Sequence, residues 1–418
     1  MTDNSSCISC ATENNLLSVA EAREHMIAEV QSITGREFLS LRNALGRVLA
    51  TDIIAPHDVP AHDNSAMDGY AVCFDSLAAE GETRLTVVGT AFAGNAFSGQ
   101  VGRGQAVRIM TGAVLPAGAD TVVVQEVVRR EGSEVVVPAG QQVGQNTRRA
   151  GEDLARGAVA LPAGKRIGPA ELGLVASLGV AEVAVKRRLR VAFFSTGDEL
   201  ASIGKPLAPG EVYDSNRYTL HGLLTRLGAE IIDLGVVPDR PEALEAALAE
   251  AAQIADAIIT TGGVSVGEAD FVREILDKLG EVRFWKINIK PGRPMAFGKV
   301  GKAWLFGLPG NPVAVMVSYT QLALGALYRL SGLDPLPERP LLAAISANPI
   351  RKQAGRREYL RGRIAAVDGA WQVKTAGNQG SGVLRSMSEA NCFVVLPEDC
   401  TSVASGDPVA VELFDGLF

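Results

Sequence analysis

The chain has only four histidines and five cysteines in 418 residues, which leaves few of the side chains that bind soft metals or carry covalent catalysis. A structural zinc site needs four such ligands. Cys7 and Cys10 form a single C-x-x-C with no second pair and no histidine nearby, so residues 1–15 read as a disordered tail rather than a metal or redox centre. His57 and His62 share a loop and read as solvated or hydrogen-bonded. No G-x-x-x-x-G-K-[ST] and no strand-coupled G-x-G-x-x-G occurs, which excludes a P-loop and a dinucleotide fingerprint, and no persuasive Cys/His pairing suggests covalent catalysis. Residues 1–15 hold no apolar leader, and no run of about 18 apolar residues is present, so no membrane role and a cytoplasmic location are expected. A net charge of -7 leaves too little basic surface for a general nucleic-acid binder.

What is abundant is glycine, with 45 residues, in a chain that is 47% hydrophobic. At about 150 residues per domain, the length suggests roughly three domains. The most informative stretch is Ile258 to Phe271, where an apolar run ends in two threonines, three glycines follow, and Asp270 opens a segment of helical spacing. This is a strand, an open loop and a helix start, and glycine there lets backbone N–H groups approach a ligand closely.

Before it, Ser18 and Glu21 form a capping-box pattern ahead of a helix over Leu16–Ile33, and a second helix is expected over Leu39–Ala50. The loop from Pro56 to Tyr70 crowds acids, amides and hydroxyls. Short β-rich runs alternate with glycine turns from Leu85 to Val137, and Pro169–Leu178 reads as a helix that closes the first region. The run Lys186-Arg187-Arg188 reads as a solvated linker rather than a binding patch. From Arg190 the period changes to alternating strands and helices, which implies a doubly wound parallel sheet whose ligands sit beyond the carboxyl ends of its strands. The loops at those ends carry Thr196-Gly197-Asp198-Glu199, Pro238-Asp239-Arg240, the Asp270 loop, and Gly307 to Pro312, with Asn311 as the helix cap and Pro312 at its first position. A strand over Val282–Lys290 would put Lys286, Asn288 and Lys290 on one face, two ammonium groups about 13 Å apart, with Arg293 in the following turn. From Pro340 onward the pattern is β-rich again, with Arg361 in a strand and Gln379-Gly380-Ser381-Gly382 in a loop. Acids beside lysines and glycine loops suggest phosphate-bearing chemistry aided by a divalent cation.

The motifs D-N-S-A-M-D-G-Y-A from Asp63, M-T-G-A from Met110, G-E-D-L from Gly151, S-T-G-D-E-L from Ser195, S-N-R from Ser215, T-G-G-V-S-V-G-E-A-D-F from Thr261, F-W-K-I-N-I-K-P-G-R-P from Phe284, G-L-P-G-N-P from Gly307, and Q-G-S-G from Gln379 with S-M-S-E-A-N occur in this order. In them the chain resembles the molybdopterin molybdenumtransferase family, the MoeA type, found also as the E domain of gephyrin. Arg293 stands where a lysine is also common. The resemblance implies a multidomain α/β protein. Residues 16–55 and 148–187 would form a discontinuous helical linker domain, 56–147 an inserted β-rich domain, 188–337 the α/β molybdopterin-binding domain, and 338–418 a small β-barrel-like domain.

It further implies a homodimer with active sites shared between subunits, and transfer of molybdenum from molybdate to adenylylated molybdopterin with release of AMP. Transient contacts with molybdopterin adenylyltransferase and other cofactor-biosynthesis proteins are implied too. Carried over motif by motif, Asp63 and Thr111 would act across the interface. Glu199, Asp239 and Asp270 would serve the pterin, the adenylate or Mg²⁺, and Lys286, Lys290 and Arg361 would meet molybdate or phosphate oxygens. Ser195, Thr196, Gly197, Gly262, Gly263, Ser265, Pro309, Gly310, Asn311, Pro312 and Ser381 would line the substrate, while Asp153 would be structural or interfacial. Two other readings are adenylylation of molybdopterin by a related α/β domain and a non-catalytic scaffold of the gephyrin kind. The extra domains and the retained charged loops favour insertion.

Overall fold

The computed structural model describes residues 16–262, 275–276, 278–415 and 417. The first helix, Val19–Glu29, is started by a reciprocal cap: the Glu21 amide donates to the Ser18 hydroxyl at 3.2 Å and the Ser18 amide to the Glu21 carboxylate at 2.8 Å. Its buried face, Val19, Ala22 and Met26, joins the same core as Leu322, Ala326 and Leu327 of the last α/β helix.

The helix expected over Leu39–Ala50 is absent. Arg36–Ser40 is instead a strand, paired antiparallel with Glu182–Lys186, and only Leu41–Ala44 turns as a short 3₁₀ helix. The strand's partner lies far away in sequence, so local spacing carried no sign of the pairing that overrides it.

The centre of the molecule is a six-stranded sheet. Four parallel strands run in the order Glu230–Val237, Arg190–Thr196, Ala257–Thr261, Ala303–Leu308, and Pro294–Val300 and Gly280–Lys286 follow antiparallel. The middle strands are covered on both faces, which is why they read as unbroken apolar runs. Phe193, Ile259 and Phe306 enter one core, while Ala192, Phe194, Ile258 and Leu305 enter the other. The helix pair Ser215–Leu227 and Pro241–Ile254 accompanies these strands, Gly228 ending the former in a left-handed cap.

The segment Pro312–Leu330 is helical throughout, as two α stretches around a π turn at Tyr319–Ala323. Its 19 residues, already expected to be the last helix of this region, are long and apolar enough to span a membrane, but they are mostly buried in the fold, so this is a core helix here.

Residues Gly69–Val72, Glu82–Ala91, Gln105–Ile109, Thr121–Val124, Arg129–Glu131 and Glu134–Pro138 form a separate mixed sheet with its own small cores. Two short ribbons, Ile53–Ile54 with Val159–Leu161 and Asn64–Ser65 with Thr147–Arg148, connect it to the N-terminal region. At the other end of the chain, Leu342–Ser346, Arg357–Val367, Ala370–Thr375, Cys392–Leu396 and Pro408–Leu413 form a five-stranded barrel, closed by pairing of Arg357–Val367 with Cys392–Leu396.

The strand expected over Val282–Lys290 is two strands in two sheets. Gly280–Lys286 belongs to the central sheet, whereas Ile289–Lys290 pairs in parallel with Arg357–Glu358 of the barrel. Between them the Asn288 amide donates to the Leu17 carbonyl at 2.8 Å and the Asn288 carbonyl accepts from the Arg357 amide at 2.9 Å. Burial still alternates, with Ile287 and Ile289 inside and Lys286 and Lys290 exposed, but the extended 13 Å spacing between the two lysines does not apply.

Candidate functional site

The loops at the carboxyl ends of the four parallel strands are tied to one another. Thr261 donates its hydroxyl to Ser195 Oγ at 3.1 Å, bracing the ends of the two central strands in a fully buried position. Ser195 is therefore a strand brace with no exposed surface. The Thr196 hydroxyl donates to Asp239 Oδ1 at 3.3 Å, and the Asp239 amide donates to Asp198 Oδ1 at 3.3 Å, which links the first and second loops.

Gly262 has φ +86°, and a Cβ there would press into the Thr196 carbonyl oxygen; the nearest atom of Gly262 to a Cβ built on Gly310 is its Cα, at 3.7 Å. A side chain at Gly262 is thus excluded by both conformation and space. Asn216, near the start of the Ser215–Leu227 helix, donates to the Gly310 carbonyl at 2.6 Å and so anchors the Gly307–Pro312 loop. Asp214 caps that helix by accepting from the Arg217 amide at 3.1 Å.

The barrel reaches the same rim. The Ser381 carbonyl accepts from the Val313 amide at 3.0 Å, taking one of the free N–H groups of the helix that begins at Pro312. Arg361 holds the loop that carries Ser381: its guanidinium donates to the Ser386 hydroxyl and to the Gly380 carbonyl, each at 2.9 Å. Arg361 has no exposed surface, and burial pushes its pKa down to about 10. Its placement makes it a support of the 378–381 loop, in contrast to the expected direct contact with an anion.

Lys290 projects from the seam between sheet and barrel, where its ammonium meets Glu358 Oε1 at 3.1 Å; Glu358 is buried and Lys290 half exposed. Lys286 is exposed at the end of its strand. Glu199 and Asp198 are exposed, Asp239 partly so. Gly263, Ser265 and Asp270 lie outside the described residues, as does most of the helical segment expected to follow Asp270.

The other expected site groups are on the inserted sheet. The Asp63 carboxylate accepts from the Ala150 amide at 2.7 Å, and the amide and hydroxyl of Thr111 both donate to Asp68 Oδ1 at 2.7 Å. The Thr111 amide and then its hydroxyl hold the Asp68 carboxyl below its ordinary value. Among the described residues, no hydrogen bond or ion pair joins residues 63–147 to residues 190–330.

Sequence reading missed Asn216, Glu358 and Asp68 as parts of this arrangement. Asn216 and Asp68 stood inside quoted motifs and were detectable by their neighbours. Glu358 became relevant only when its strand was brought beside Lys290. Among the described residues, no three acidic, histidine or cysteine side chains gather as a ready cation cage.

The fold and the rim define a multidomain protein built around an open α/β ligand-binding sheet. Three family models cover almost all of the chain: "MoeA N-terminal region (domain I and II)" over residues 17–179, "Probable molybdopterin binding domain" over 192–329, and "MoeA C-terminal region (domain IV)" over 343–414. A curated relative from Haemophilus influenzae, molybdopterin molybdenumtransferase, is 43% identical over 404 residues, 96% of this chain and 100% of that protein. A protein of the same name from Nostoc is 37% identical, covering 93% of this chain and 91% of its own length. The crystal structure of the molybdopterin biosynthesis moeA protein from Pyrococcus horikoshii OT3 superposes with a TM-score of 0.81 at 30% identity, over 96% of this chain and 100% of that one. The chain belongs to the molybdopterin molybdenumtransferase, or MoeA, family, a family of enzymes of molybdenum cofactor biosynthesis.

Proposed function

We infer that the protein inserts molybdenum from molybdate into adenylylated molybdopterin in the cytoplasm, releasing AMP. The observation that carries this reading is the convergence of the strand-end loops and the barrel loop on one rim, tied through Thr196–Asp239, Asn216–Gly310 and Val313–Ser381. Such a rim offers glycine backbone and hydroxyls to a phosphate-bearing ligand, with Lys286 and Lys290 at its side to meet molybdate or phosphate oxygens. The substrate's own phosphoanhydride would supply the driving force, in keeping with the missing P-loop.

The donors at the rim are hard oxygens from Glu199, Asp239 and Thr196, joined in this reading by Asp270. They fit Mg²⁺, which commonly takes one or two carboxylates and completes its octahedron with substrate phosphates and water. When bound, Mg²⁺ would neutralise phosphate charge. The protein's own part is to orient the anhydride on the glycine loops, to hold Lys290 in place against Glu358, and to keep the Ser381 loop in register through Arg361. Asp63 is held by the Ala150 amide and Thr111 by Asp68, with no hydrogen bond or ion pair to residues 190–330 among the described residues, so in this reading they complete the rim of a second subunit in a homodimer. Substrate would arrive through transient contact with an adenylyltransferase.

The test mixes purified protein with adenylylated molybdopterin, molybdate and Mg²⁺ and follows AMP release and molybdenum incorporation. Release should depend on molybdate and fall by about 10²- to 10³-fold in Lys290→Ala, as for other preorganised charge-stabilising groups. Tight substrate binding without release would mark a carrier instead.

A further inference from the structure

A second cleft lies at the opposite end of the central sheet. It is bordered by Leu189 and by Gly228–Ala229, which directly precede the strands Arg190–Thr196 and Glu230–Val237. These are the amino ends of the strands, so a seven-residue strand puts the cleft roughly 20 Å from the rim. Its volume is about 180 Å³, and it is lined by Arg47, Arg166, Lys186, Arg187, Arg188 and Arg226, with no acidic side chain among its described lining residues. In a chain of net charge -7 this is a concentrated patch of the opposite sign.

Arg47, Arg166, Lys186 and Arg187 are partly buried and held by contacts, while Arg188 and Arg226 are exposed. Arg47 pairs with Glu37 and donates to the Lys186 carbonyl at 2.7 Å. Lys186 donates to the Ile33 carbonyl at 3.1 Å, and Arg188 to the Gly228 carbonyl at 2.9 Å. Arg187 binds Asp256 through both terminal nitrogens at 2.7 Å. Arg166 stacks over the Tyr328 ring at 5.0 Å, and its Nε is buried with no hydrogen-bond partner. A C-terminal helix position accounts for Arg226 alone. The run Lys186-Arg187-Arg188, expected to be a solvated linker, is part of a preorganised wall.

We propose that this cleft binds a small, multiply charged anion of the phosphate class, held between the N-terminal region (Arg47, Arg166, Lys186, Arg187) and the α/β domain (Arg188, Arg226). The site is separate from the rim and independent of the reaction assigned there. The size and partial enclosure of the cleft favour a diphosphate-sized ligand over an extended polymer, and charge-assisted hydrogen bonds from guanidinium groups would supply most of the affinity.

Calorimetric titration of the full-length protein with inorganic pyrophosphate, at ionic strength matched with sodium chloride, tests this. Orthophosphate in a parallel titration separates a diphosphate site from a simple phosphate site. Wild type should bind pyrophosphate, and Arg188→Ala/Arg226→Ala, two exposed positions whose loss leaves the core intact, should bind it at least about tenfold more weakly with AMP release unchanged. Arg166→Gln should weaken it similarly, and Lys286→Ala/Lys290→Ala should retain it. The proposal is overturned if wild type does not bind at matched ionic strength. It is equally overturned if binding survives Arg188→Ala/Arg226→Ala and disappears in Lys286→Ala/Lys290→Ala, which would place the anion at the rim.

Discussion

The rim of the α/β sheet and the loops of the inserted sheet carry similar chemistry but are built differently. At the rim, hydroxyls, a glycine of positive φ and an asparagine tie the strand-end loops and the barrel into one piece. On the insert, the Asp63 carboxylate is fixed by the Ala150 amide and Thr111 by the Asp68 carboxylate, and two short ribbons join the sheet to the N-terminal region. One site is assembled by tertiary convergence; the other is a pair of preset groups on a separate body. Groups so carried can serve a rim only if that body docks against it, as it would in the proposed homodimer.

The sharpest way to break the comparison is subunit complementation. Thr111→Ala and Lys290→Ala proteins should each be deeply impaired as homodimers. Mixing their subunits should restore about a quarter of wild-type AMP release, since half the dimers are then mixed and each has one intact site. If both residues act within one chain, mixing restores nothing.

A smaller effect separates a packed glycine from an open one. Gly262→Ala meets the Thr196 carbonyl at φ +86° and should destabilise the protein by about 1–3 kcal/mol in chemical denaturation. Gly94→Ala on the insert, at φ +78° with open space around it, should cost only the backbone term, about 1 kcal/mol. Equal losses would mean that the rim is no more tightly built than the insert.

The smallest effect concerns Asp68. Its folded-state pKa is lowered by Thr111, so the contact's stabilisation is present above the ordinary aspartate range and is lost as pH falls through the lowered folded value. The Tm difference between wild type and Asp68→Asn should therefore be steady near neutral pH and shrink below about pH 4. A difference that persists in acid would show that the hydrogen-bond geometry, not the charge, holds Thr111.

Much of this was legible because its causes are local. Ser18 and Glu21 announce a helix start three residues apart, and the central strands declare double-sided burial by their apolar runs. Glycine loops after those strands mark the rim, since the topology of a doubly wound sheet brings successive strand ends to one side. The failures had a common origin in long-range pairing. Leu39–Ala50 became strand and 3₁₀ turn because Glu182–Lys186 lay alongside. The lysine strand broke because Leu17 and the Arg357–Val367 strand captured its second half.

The sequence by itself determined the alternating elements, the chemistry of each loop and, through its ordered motifs, the family. Hydrophobic periodicity, capping and turn residues act over a few positions and can be read there. Only the tertiary structure decided that Arg361 supports a loop, that Lys290 rests on Glu358, and that Lys186, Arg187 and Arg188 join Arg47, Arg166 and Arg226 around one cleft. Burial and charge pairing depend on which distant segments meet, and a linear order of residues does not contain that distance.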